Sequence, residues 1–220
     1  MKRMTSAVDL WAPFALRVRC GPLELRAITD DDIPVIADLV LGGLHEPGRM
    51  PFAQPWTEAP GERIPHNTAA YYWSSRATFS PENWVLDLVV RVEDRIAGVQ
   101  GFATKNYFVV RSGETGSWLG RQFQGRGIGT LMRQAICALL FDHLEAAEIT
   151  SAAFTDNPAS LAVSRKVGYV DNGTFREQRR PGELALSRKL LLTADRFIRP
   201  EHPIEVEGIA PVRSAIGLSP

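Results

Sequence analysis

The sequence has few cysteines and no long apolar run. Its 220 residues include two cysteines, Cys20 and Cys137, which supply neither a disulfide framework nor a zinc ligand set. We expect both to be buried, unreactive thiols, and we expect no metal. The apolar run at residues 135–141 is far too short to cross a bilayer, and Asp9 and Arg17 interrupt what would have to be a signal-peptide core. These absences predict a cytoplasmic protein with no membrane partner.

The chain also lacks an excess of charge of either sign. Its 25 lysines and arginines balance 25 aspartates and glutamates, so the formal net charge is zero. A neutral chain is poorly suited to coat a polyanion, and we therefore expect no nucleic-acid partner. An apolar fraction of 45% and a charged fraction of 23% are typical of a folded globular protein.

Hydrophobic patterning predicts alternating strands and helices. Strands are predicted at residues 14–19, 23–28, 84–92, 95–107, 115–119, 148–154, 169–176 and 183–192. Helices are predicted at residues 29–41, 66–79, 126–144 and 159–167. Short turns join the early strands and the late strands, which favours antiparallel pairing. The predicted fold class is α/β (α+β), with one mixed, mostly antiparallel sheet.

Two segments fall outside these elements. Residues 45–65 contain five prolines, which predicts a long irregular loop of the kind that is usually functional or mobile. Residues 200–220 are rich in proline and glutamate, and we expect a loosely packed tail there. We therefore divide the chain into one domain at residues 1–199 and a C-terminal tail at residues 200–220.

A glycine-rich turn stands between a predicted strand and the longest predicted helix. Gly125, Gly127 and Gly129 alternate where that helix begins. N–H groups at a helix N-terminus are unpaired, and the helix dipole adds about half a positive charge. Glycine permits the close backbone approach that a diphosphate requires. The spacing fits neither the dinucleotide motif nor the Walker motif, and a tight turn without a ligand would carry the same glycines.

A second strand-to-helix junction makes the first more informative. The first junction resembles the Gln/Arg-x-x-Gly-x-Gly/Ala signature of the GNAT acyltransferases, here at Gln124, Gly127 and Gly129. The second resembles that superfamily's following motif, in which an Asn starts a helix ending in Lys-x-Gly-Phe/Tyr, here at Asn157, Lys166, Gly168 and Tyr169. The resemblance is best over residues 84–169.

The resemblance also points to a branch of that superfamily. Residues 114–119 look most like the branch that includes ribosomal-protein N-terminal acetyltransferases. Within that branch, residues 50–57 and 116–121 resemble an actinobacterial subgroup, some of whose members use succinyl-CoA. It implies a single GNAT-like domain with splayed central strands and helices on both faces of the sheet. The implied co-substrate is acyl-CoA, either succinyl-CoA or acetyl-CoA.

For the acceptor, the resemblance implies a primary amine, either a small molecule or a protein N-terminus or lysine. It is compatible with assembly into a homo-oligomer. For the donor, it implies that the pantetheine arm lies beside the strand that precedes the glycine turn, contacting or flanking Ser117, Leu119 and Arg121. An amide such as that of Leu119 or Gly120 would stabilise the oxyanion.

The pyrophosphate would then lie at the glycine turn that follows Gln124. The backbone amides implied to face it are those of Gly125, Arg126, Gly127, Ile128, Gly129 and Thr130. Asn157 would bind a pantetheine amide. Ser164 stands where many GNAT enzymes carry a tyrosine that protonates the departing thiolate, and we include it among the cofactor-binding residues.

The implied reaction is direct attack of a neutral amine on the thioester in a ternary complex. Glu114 is our candidate for the proton acceptor, because the matching strand often carries a substrate-side Glu; Asp87 and His45 are weaker candidates. An exposed strand-end carboxylate without a catalytic role is an equally good interpretation of Glu114. Ser160 matches a serine of the ribosomal-protein branch and would protonate or bind the sulfur, although a helix-capping role also explains it.

Two other functions remain open at this point. The missing tyrosine is compatible with a GNAT-fold protein that senses acyl-CoA without turnover, and the proline-rich loop with a domain that docks a partner. The donor is also open. A succinyl carboxylate would need a cation, a helix end or water, and Arg49, Arg111 or Arg121 could supply the cation. On this interpretation we expect succinyl-CoA to bind more tightly than acetyl-CoA.

Overall fold

The structure is a computed structural model, and it describes residues 4–220. Its strands, in chain order, are β1 Arg17–Cys20, β2 Leu23–Ala27, β3 Asn83–Val92, β4 Arg95–Lys105, β5 Glu114–Leu119, β6 Glu148–Phe154, β7 Val170–Arg180, β8 Glu183–Thr193 and β9 Ile204–Glu207. Its helices are α1 Ala7–Leu10, α2 Asp32–Leu41, α3 Ile64–Ala77, α4 Tyr107–Val110, α5 Ile128–Ala138, α6 Pro158–Val167 and α7 Ile209–Ala215. The predicted strands and helices are all present, with ends that differ by a few residues.

The nine strands form one sheet in the order β7-β8-β6-β5-β4-β3-β2-β1-β9. Every neighbouring pair of strands is antiparallel except β5 with β6, which run parallel. That parallel pair is joined at a single register position, Glu114 with Thr150, whereas β4 and β5 pair along six positions. The strands therefore separate after Glu114, and the predicted splay of the central strands is confirmed.

Helices cover both faces of this sheet, as predicted. On one face α5 contacts β1, β2, β4 and β5 and packs against α6. The side chains of α5 are buried around most of the helix, because it lies between the sheet and α6. A five-residue π-helical turn, Leu139–His143, continues it. On the other face α2 and α3 pack together, with α2 against β4 and α3 against β3.

The C-terminal segment differs from the loosely packed tail that we expected. β9 pairs with β1 along four positions and completes one edge of the sheet. α7 follows and packs against the short helical turn Ala12–Ala15. Val212, Ile216 and Leu218 are buried in the core. Proline and glutamate content gave the wrong answer because the apolar residues between them pack onto the sheet edge.

No helix among residues 4–220 combines the length and apolar character needed to span a membrane. Both cysteines are free and buried, as predicted. Desolvation by burial raises the pKa of each thiol to about 11, which keeps both thiols protonated at neutral pH.

Candidate functional site

The gap between β5 and β6 is the first part of the site. The Gly120 amide donates to the Ala97 carbonyl of β4 at 2.9 Å. Because N–H groups alternate in direction along a strand, the amides of Leu119 and Ser117 face the opposite side, where β6 has separated. These two amides are therefore free to pair with an extended ligand in the gap. The Gly120 amide is not free, because it is bonded to β4. Of the two amides considered for the oxyanion, only that of Leu119 therefore faces the gap.

The glycine turn is the second part of the site and leads directly into α5. Gly125 and Gly127 have φ angles of +73° and +80°, and a Cβ built on either would meet no atom within 4 Å. The space in front of them is open, and glycine keeps it open while relieving the strain of the left-handed backbone. Ile128 begins the helix with its side chain in the core. The arrangement is an anion cradle in which the α5 dipole adds positive potential.

Three predicted ligand contacts in this turn are used within the protein. The Gln124 side-chain amide donates to the carbonyls of Leu44 and Leu119 at 2.8 and 2.9 Å, so it connects the turn to the segment that follows α2. The Thr130 amide donates to the Gly127 carbonyl at 3.1 Å. Arg121 forms an ion pair with Glu46. These residues shape the turn, whereas the amides at residues 125–129 belong to the cradle.

Gly129 has a packing role. A Cβ at this position would lie 3.5 Å from Cγ2 of Val163 on α6, so the small residue allows α5 and α6 to pack closely. Arg126, by contrast, is exposed beside the cradle.

The start of α6 is the third part of the site. The Asn157 side-chain oxygen accepts from the Ser160 amide at 3.2 Å and caps the helix. Ser160 is partly exposed, and its hydroxyl has no hydrogen bond within residues 4–220. Ser164 is 1% exposed and its hydroxyl donates to the Ser160 carbonyl at 3.1 Å. A ligand therefore cannot reach Ser164, and the predicted cofactor contact at this residue is replaced by a helix-internal bond.

A buried arginine that the sequence analysis missed lies behind the gap. Arg133 of α5 is 4% exposed. Its guanidinium donates to the Ser117 hydroxyl of β5 at 2.9 Å and to the Ser151 hydroxyl of β6 at 3.2 Å, and it approaches the Gln100 side-chain oxygen at 3.4 Å. It bridges the two splayed strands from the α5 side. The sequence did offer one indication of this role, because Arg133 is a charged residue within an otherwise largely apolar helical pattern.

On the other face of the sheet lies a cleft of about 500 Å³, which we call the central cleft. Its floor is built by β3, β4 and β5, and the register places Asp87, Gly101 and Gly116 in one row across these strands. The next row contains Val85, Ala103 and Glu114. Cross-strand partners share a face, so two carboxylates stand on the same floor with small residues between them.

Asp87 is the more buried of these two carboxylates. Its Oδ2 atom is sealed from solvent and has no hydrogen-bond partner within the described part of the chain. Desolvation by burial raises the pKa of Asp87 to about 6, against an opposing hydrogen bond from Tyr71. A lone aspartate in the apolar run of residues 85–90 was a signal in the sequence, and the structure gives it more weight than the sequence analysis did.

Glu114 stands at the start of β5, before the strands separate. Its side chain is exposed toward solvent, yet the atoms packed on one side desolvate the carboxylate and raise its pKa. The charge of Glu177 raises it further, and that of Arg133 opposes both. Both floor carboxylates therefore have raised pKa values, but only Asp87 has an oxygen sealed away from solvent.

The walls of the central cleft are largely aromatic. α3 contributes Tyr71 and Tyr72, and the proline-rich loop contributes Phe52 and Trp56. The Trp56 ring lies 5.9 Å from that of Trp118 on β5, so the loop folds over the end of the floor. No lysine, arginine or histidine lines the cleft among residues 4–220. Its charged lining groups are carboxylates alone, and its field suits a cation.

The other predicted site residues lie outside this lining. His45 bonds to the Thr57 hydroxyl at 2.8 Å and is part of the loop. Arg49 donates to the Asp156 carbonyl at 2.9 Å, and Arg111 is 3.5 Å from Glu145. With Arg121 bound to Glu46, each of the three cations proposed for a succinyl carboxylate already has an oxygen partner. Within the described ranges no group of three or more metal-ligating side chains is found.

Solved structures share this fold. RimJ of Mycobacterium smegmatis, in complex with CoA-disulfide, superposes with a TM-score of 0.71 and 18% identity over 93% of this chain and 95% of that chain. A second solved structure is an acetyltransferase of Salmonella typhimurium, described as modifying the N-terminal serine of 50S ribosomal subunit protein L7/L12. It superposes with a TM-score of 0.64 and 21% identity over 79% of this chain and 96% of that chain. At these identities the likeness defines the class of fold, that of acetyltransferases with one α/β domain.

The sequence comparisons identify the family. The profile described as "Acetyltransferase (GNAT) domain" matches residues 22–170, more than half of the chain. The chain therefore belongs to the GNAT acetyltransferase family, and the predicted resemblance to that superfamily is confirmed. A Bacillus subtilis (strain 168) protein described as "Putative ribosomal N-acetyltransferase YdaF" is 30% identical over 69 residues. That match spans 31% of this chain and 38% of the relative's length.

Proposed function

We propose that this protein transfers an acetyl group from acetyl-CoA to a primary amine by direct attack in a ternary complex. One observation carries the proposal: the β5–β6 gap, whose strand β5 leads into the glycine turn, borders a cleft whose only charged lining groups, within residues 4–220, are the carboxylates Asp87 and Glu114. The gap and the cradle suit the pantetheine arm and the pyrophosphate of CoA. The acidic cleft suits the ammonium group of an acceptor.

The binding energy for the donor comes from backbone groups. The amides of Ser117 and Leu119 both face the gap in which the pantetheine arm would lie. The amides at residues 125–129 would hold the pyrophosphate, with Arg126 close enough in sequence to add a charge-assisted bond. Asn157 would bind a pantetheine amide through its side-chain nitrogen, since its oxygen caps α6. The arm would use only one of the Ser117 and Leu119 amides, and the other, proposed here to be that of Leu119, would stabilise the oxyanion formed at the thioester carbonyl.

Each turnover must also handle protons. The acceptor arrives as R–NH₃⁺ and loses one proton to a floor carboxylate; Glu114 is the residue proposed from the sequence. The neutral nitrogen forms a C–N bond with the thioester carbon, and the tetrahedral intermediate breaks its C–S bond. The departing thiolate takes a proton from the Ser160 hydroxyl, which regains one from the amide nitrogen through solvent. The products are the amide and CoA thiol.

The choice of acetyl over succinyl rests on the lining of the cleft. A succinyl carboxylate would face Asp87 and Glu114 there, and burying a charge without a partner costs several kcal/mol. Arg49 and Arg121 already bind oxygen atoms elsewhere, and Arg111, which lies 3.5 Å from Glu145, does not line the cleft. Acetyl-CoA should therefore give the higher kcat/KM. A succinyl-CoA preference that weakens with added salt would contradict this choice and point to Arg49.

The acceptor proposed is a protein N-terminus. Two solved structures with this fold are described as acting on the N-terminal serine, or as the alpha-N-protein acetyltransferase, of ribosomal protein L7/L12. A cytoplasmic location would follow. The test uses acetyl-CoA with a peptide that begins with serine, its Nα-acetylated counterpart as the control, and spermidine as a polyamine. Thiol release and the mass of the acetylated product are measured. Binding of acetyl-CoA without thiol release for any amine would favour the acyl-CoA sensor instead.

A further inference from the structure

Asp87 occupies a position that the rest of the site does not explain. It is the only aspartate or glutamate in β3, and its strand neighbours at residues 86 and 88 are buried apolar side chains. No arginine or lysine within residues 4–220 forms an ion pair with it. A carboxylate held in an apolar strand without a counter-ion is costly for the fold, so a role outside the fold is expected.

The floor of the central cleft is shaped around this carboxylate. A Cβ at Gly101 would lie 2.6 Å from Asp87 Oδ1, so the carboxylate extends over Gly101. A Cβ at Gly116 would meet no atom within 4 Å, so the row remains open as far as β5. Two glycines thus leave an unobstructed path from Asp87 to the strand that borders the β5–β6 gap.

A second, smaller cavity lies beside Asp87 and shares Tyr72 and Val85 with the central cleft. It has a volume of about 10 Å³, about the space that one water molecule needs. Trp11 Nε1, a donor, and Asp87 Oδ2, an acceptor, both belong to residues that line it, and neither atom has a partner within residues 4–220. The two unpaired atoms, one donor and one acceptor, therefore belong to residues around a single water-sized cavity.

We propose that Asp87 is the acceptor-amine site: its carboxylate binds the ammonium group of the acceptor, accepts one proton from it and releases the neutral amine toward the thioester. Aromatic side chains at Tyr71 and Tyr72 flank the cation, which they also attract through their ring faces. The proton taken by Asp87 leaves to solvent after the acetyl group has moved. This inference rests on the proposed function, and it assigns to Asp87 the role that the sequence analysis gave to Glu114.

The titration of Asp87 can be distinguished from those of the charged and titratable groups that face it. α3 contributes Tyr71 and Tyr72, whose pKa values are raised by desolvation and by the Asp87 charge. It also contributes Arg76, whose guanidinium is 2.6 Å from Asp30. β5 contributes Glu114 across the floor. α2 contributes apolar residues to the cleft. Glu114 is the other carboxylate on this floor, and its contribution to the pH profile is controlled by its own variant.

The kinetic test compares wild type, Asp87→Asn and Glu114→Gln with acetyl-CoA and a serine-initiated peptide. Because the site takes up the ammonium form, wild-type kcat/KM should be bell-shaped. The value of kcat/KM should rise as Asp87 loses its proton, with a pKa of about 6. It should fall again as the ammonium group of the peptide loses its proton, at about pH 8. Asp87→Asn should lose at least about 100-fold and rise with pH instead, since only neutral amine can react. Whatever its rate, Glu114→Gln should keep the bell-shaped pH profile of kcat/KM. A bell retained by Asp87→Asn overturns the proposal.

A second measurement does not depend on turnover. The ¹³Cγ resonance of Asp87 is titrated in the CoA-saturated protein, with and without the serine-initiated peptide, and Asp87→Asn assigns the resonance. Bound ammonium should lower the Asp87 pKa, whereas the Nα-acetylated peptide should not. An unchanged Asp87 titration overturns the proposal even if the protein is active. If wild type acetylates no amine, the proposed function fails and this titration still decides the role of Asp87.

Discussion

The Asp87 carboxylate lies over Gly101, its register partner on β4, so closely that a Cβ at Gly101 would stand 2.6 Å from Oδ1. The backbone of one strand thus determines where the side chain of its neighbour can reach. This relationship allows the position of the carboxylate to be changed while the carboxylate itself is kept.

Gly101→Ala should turn the Asp87 carboxylate away from the open row and reduce kcat/KM by about tenfold or more. Stability should fall by only about 0.5–1.5 kcal/mol, because an aspartate can relieve the contact by rotating. Steady-state kinetics and urea unfolding measure the two effects. Gly61→Ala is the control, since its Cβ would make an ordinary 3.7 Å contact with Leu41 and neither residue lines the cleft. Full activity in Gly101→Ala would mean that the carboxylate position does not matter.

Gly127→Val should weaken acetyl-CoA binding by at least about tenfold, near 1.4 kcal/mol, because the new side chain fills the cradle. The φ of +80° also makes the variant strained, at a cost to stability of about 1–2 kcal/mol. Calorimetric titration with CoA measures the affinity. Gly173→Val has the same kind of strain, with φ of +95° and open space around it, and should bind CoA normally. If the two variants bind CoA with equal affinity, the glycine turn is not part of the CoA-binding site.

Ser160→Ala should lower kcat by up to about 100-fold and leave CoA affinity nearly unchanged. The amide bond from residue 160 to Asn157 survives the substitution, so the α6 cap is kept. Single-turnover rates and CoA titration separate the two effects. Ser164→Ala serves as the comparison: its buried hydroxyl bonds within α6, so it should lose about 1 kcal/mol of stability and little activity. If Ser160→Ala turns over at the wild-type rate, water protonates the thiolate.

Asp32→Asn should destabilise the fold by about 1–3 kcal/mol at neutral pH. Burial would raise the pKa of Asp32, but two hydrogen bonds from Arg26 and two from Thr29 outweigh it and lower the pKa. Because the pKa of Asp32 is lower in the folded state, its carboxylate stabilises the fold at any pH above the unfolded-state pKa of about 3.9. This stabilisation is lost as the pH falls through the folded-state pKa. The difference from wild type in urea unfolding should therefore shrink below about pH 4. Asp38→Asn, on the exposed side of the same helix, should show neither effect.

Much of the fold could be predicted from the sequence because periodicity reports which face of a strand or helix is buried. The hairpin of β1 and β2 and the long helix α5 followed from such patterns. The glycine turn was also visible, because positive φ angles at Gly125 and Gly127 require a particular residue type. The family resemblance then supplied the splayed strands, which no local pattern indicates.

The rest depended on contacts between residues far apart in the sequence. Gln124 could not be assigned to Leu44, or Arg133 to Ser151, without the tertiary structure. The row of Asp87, Gly101 and Gly116 exists only through strand register, which is why Asp87 was a minor candidate. Composition also misled: residues 204–220 have the proline and glutamate of a tail, but pairing with β1 depends on backbone groups that composition does not describe.

The pairing of β9 with β1 has a consequence for how the chain folds. β1 is among the first strands to be synthesised, yet its outer neighbour comes near the end of the described chain. Until then β1 presents an unpaired edge, which is the kind of surface through which partly folded chains aggregate. Once residues 204–220 have left the ribosome, β1 is covered and the four-residue β9 becomes the edge strand on that side. Ribosome-bound chains stalled before that point should be the most prone to self-association.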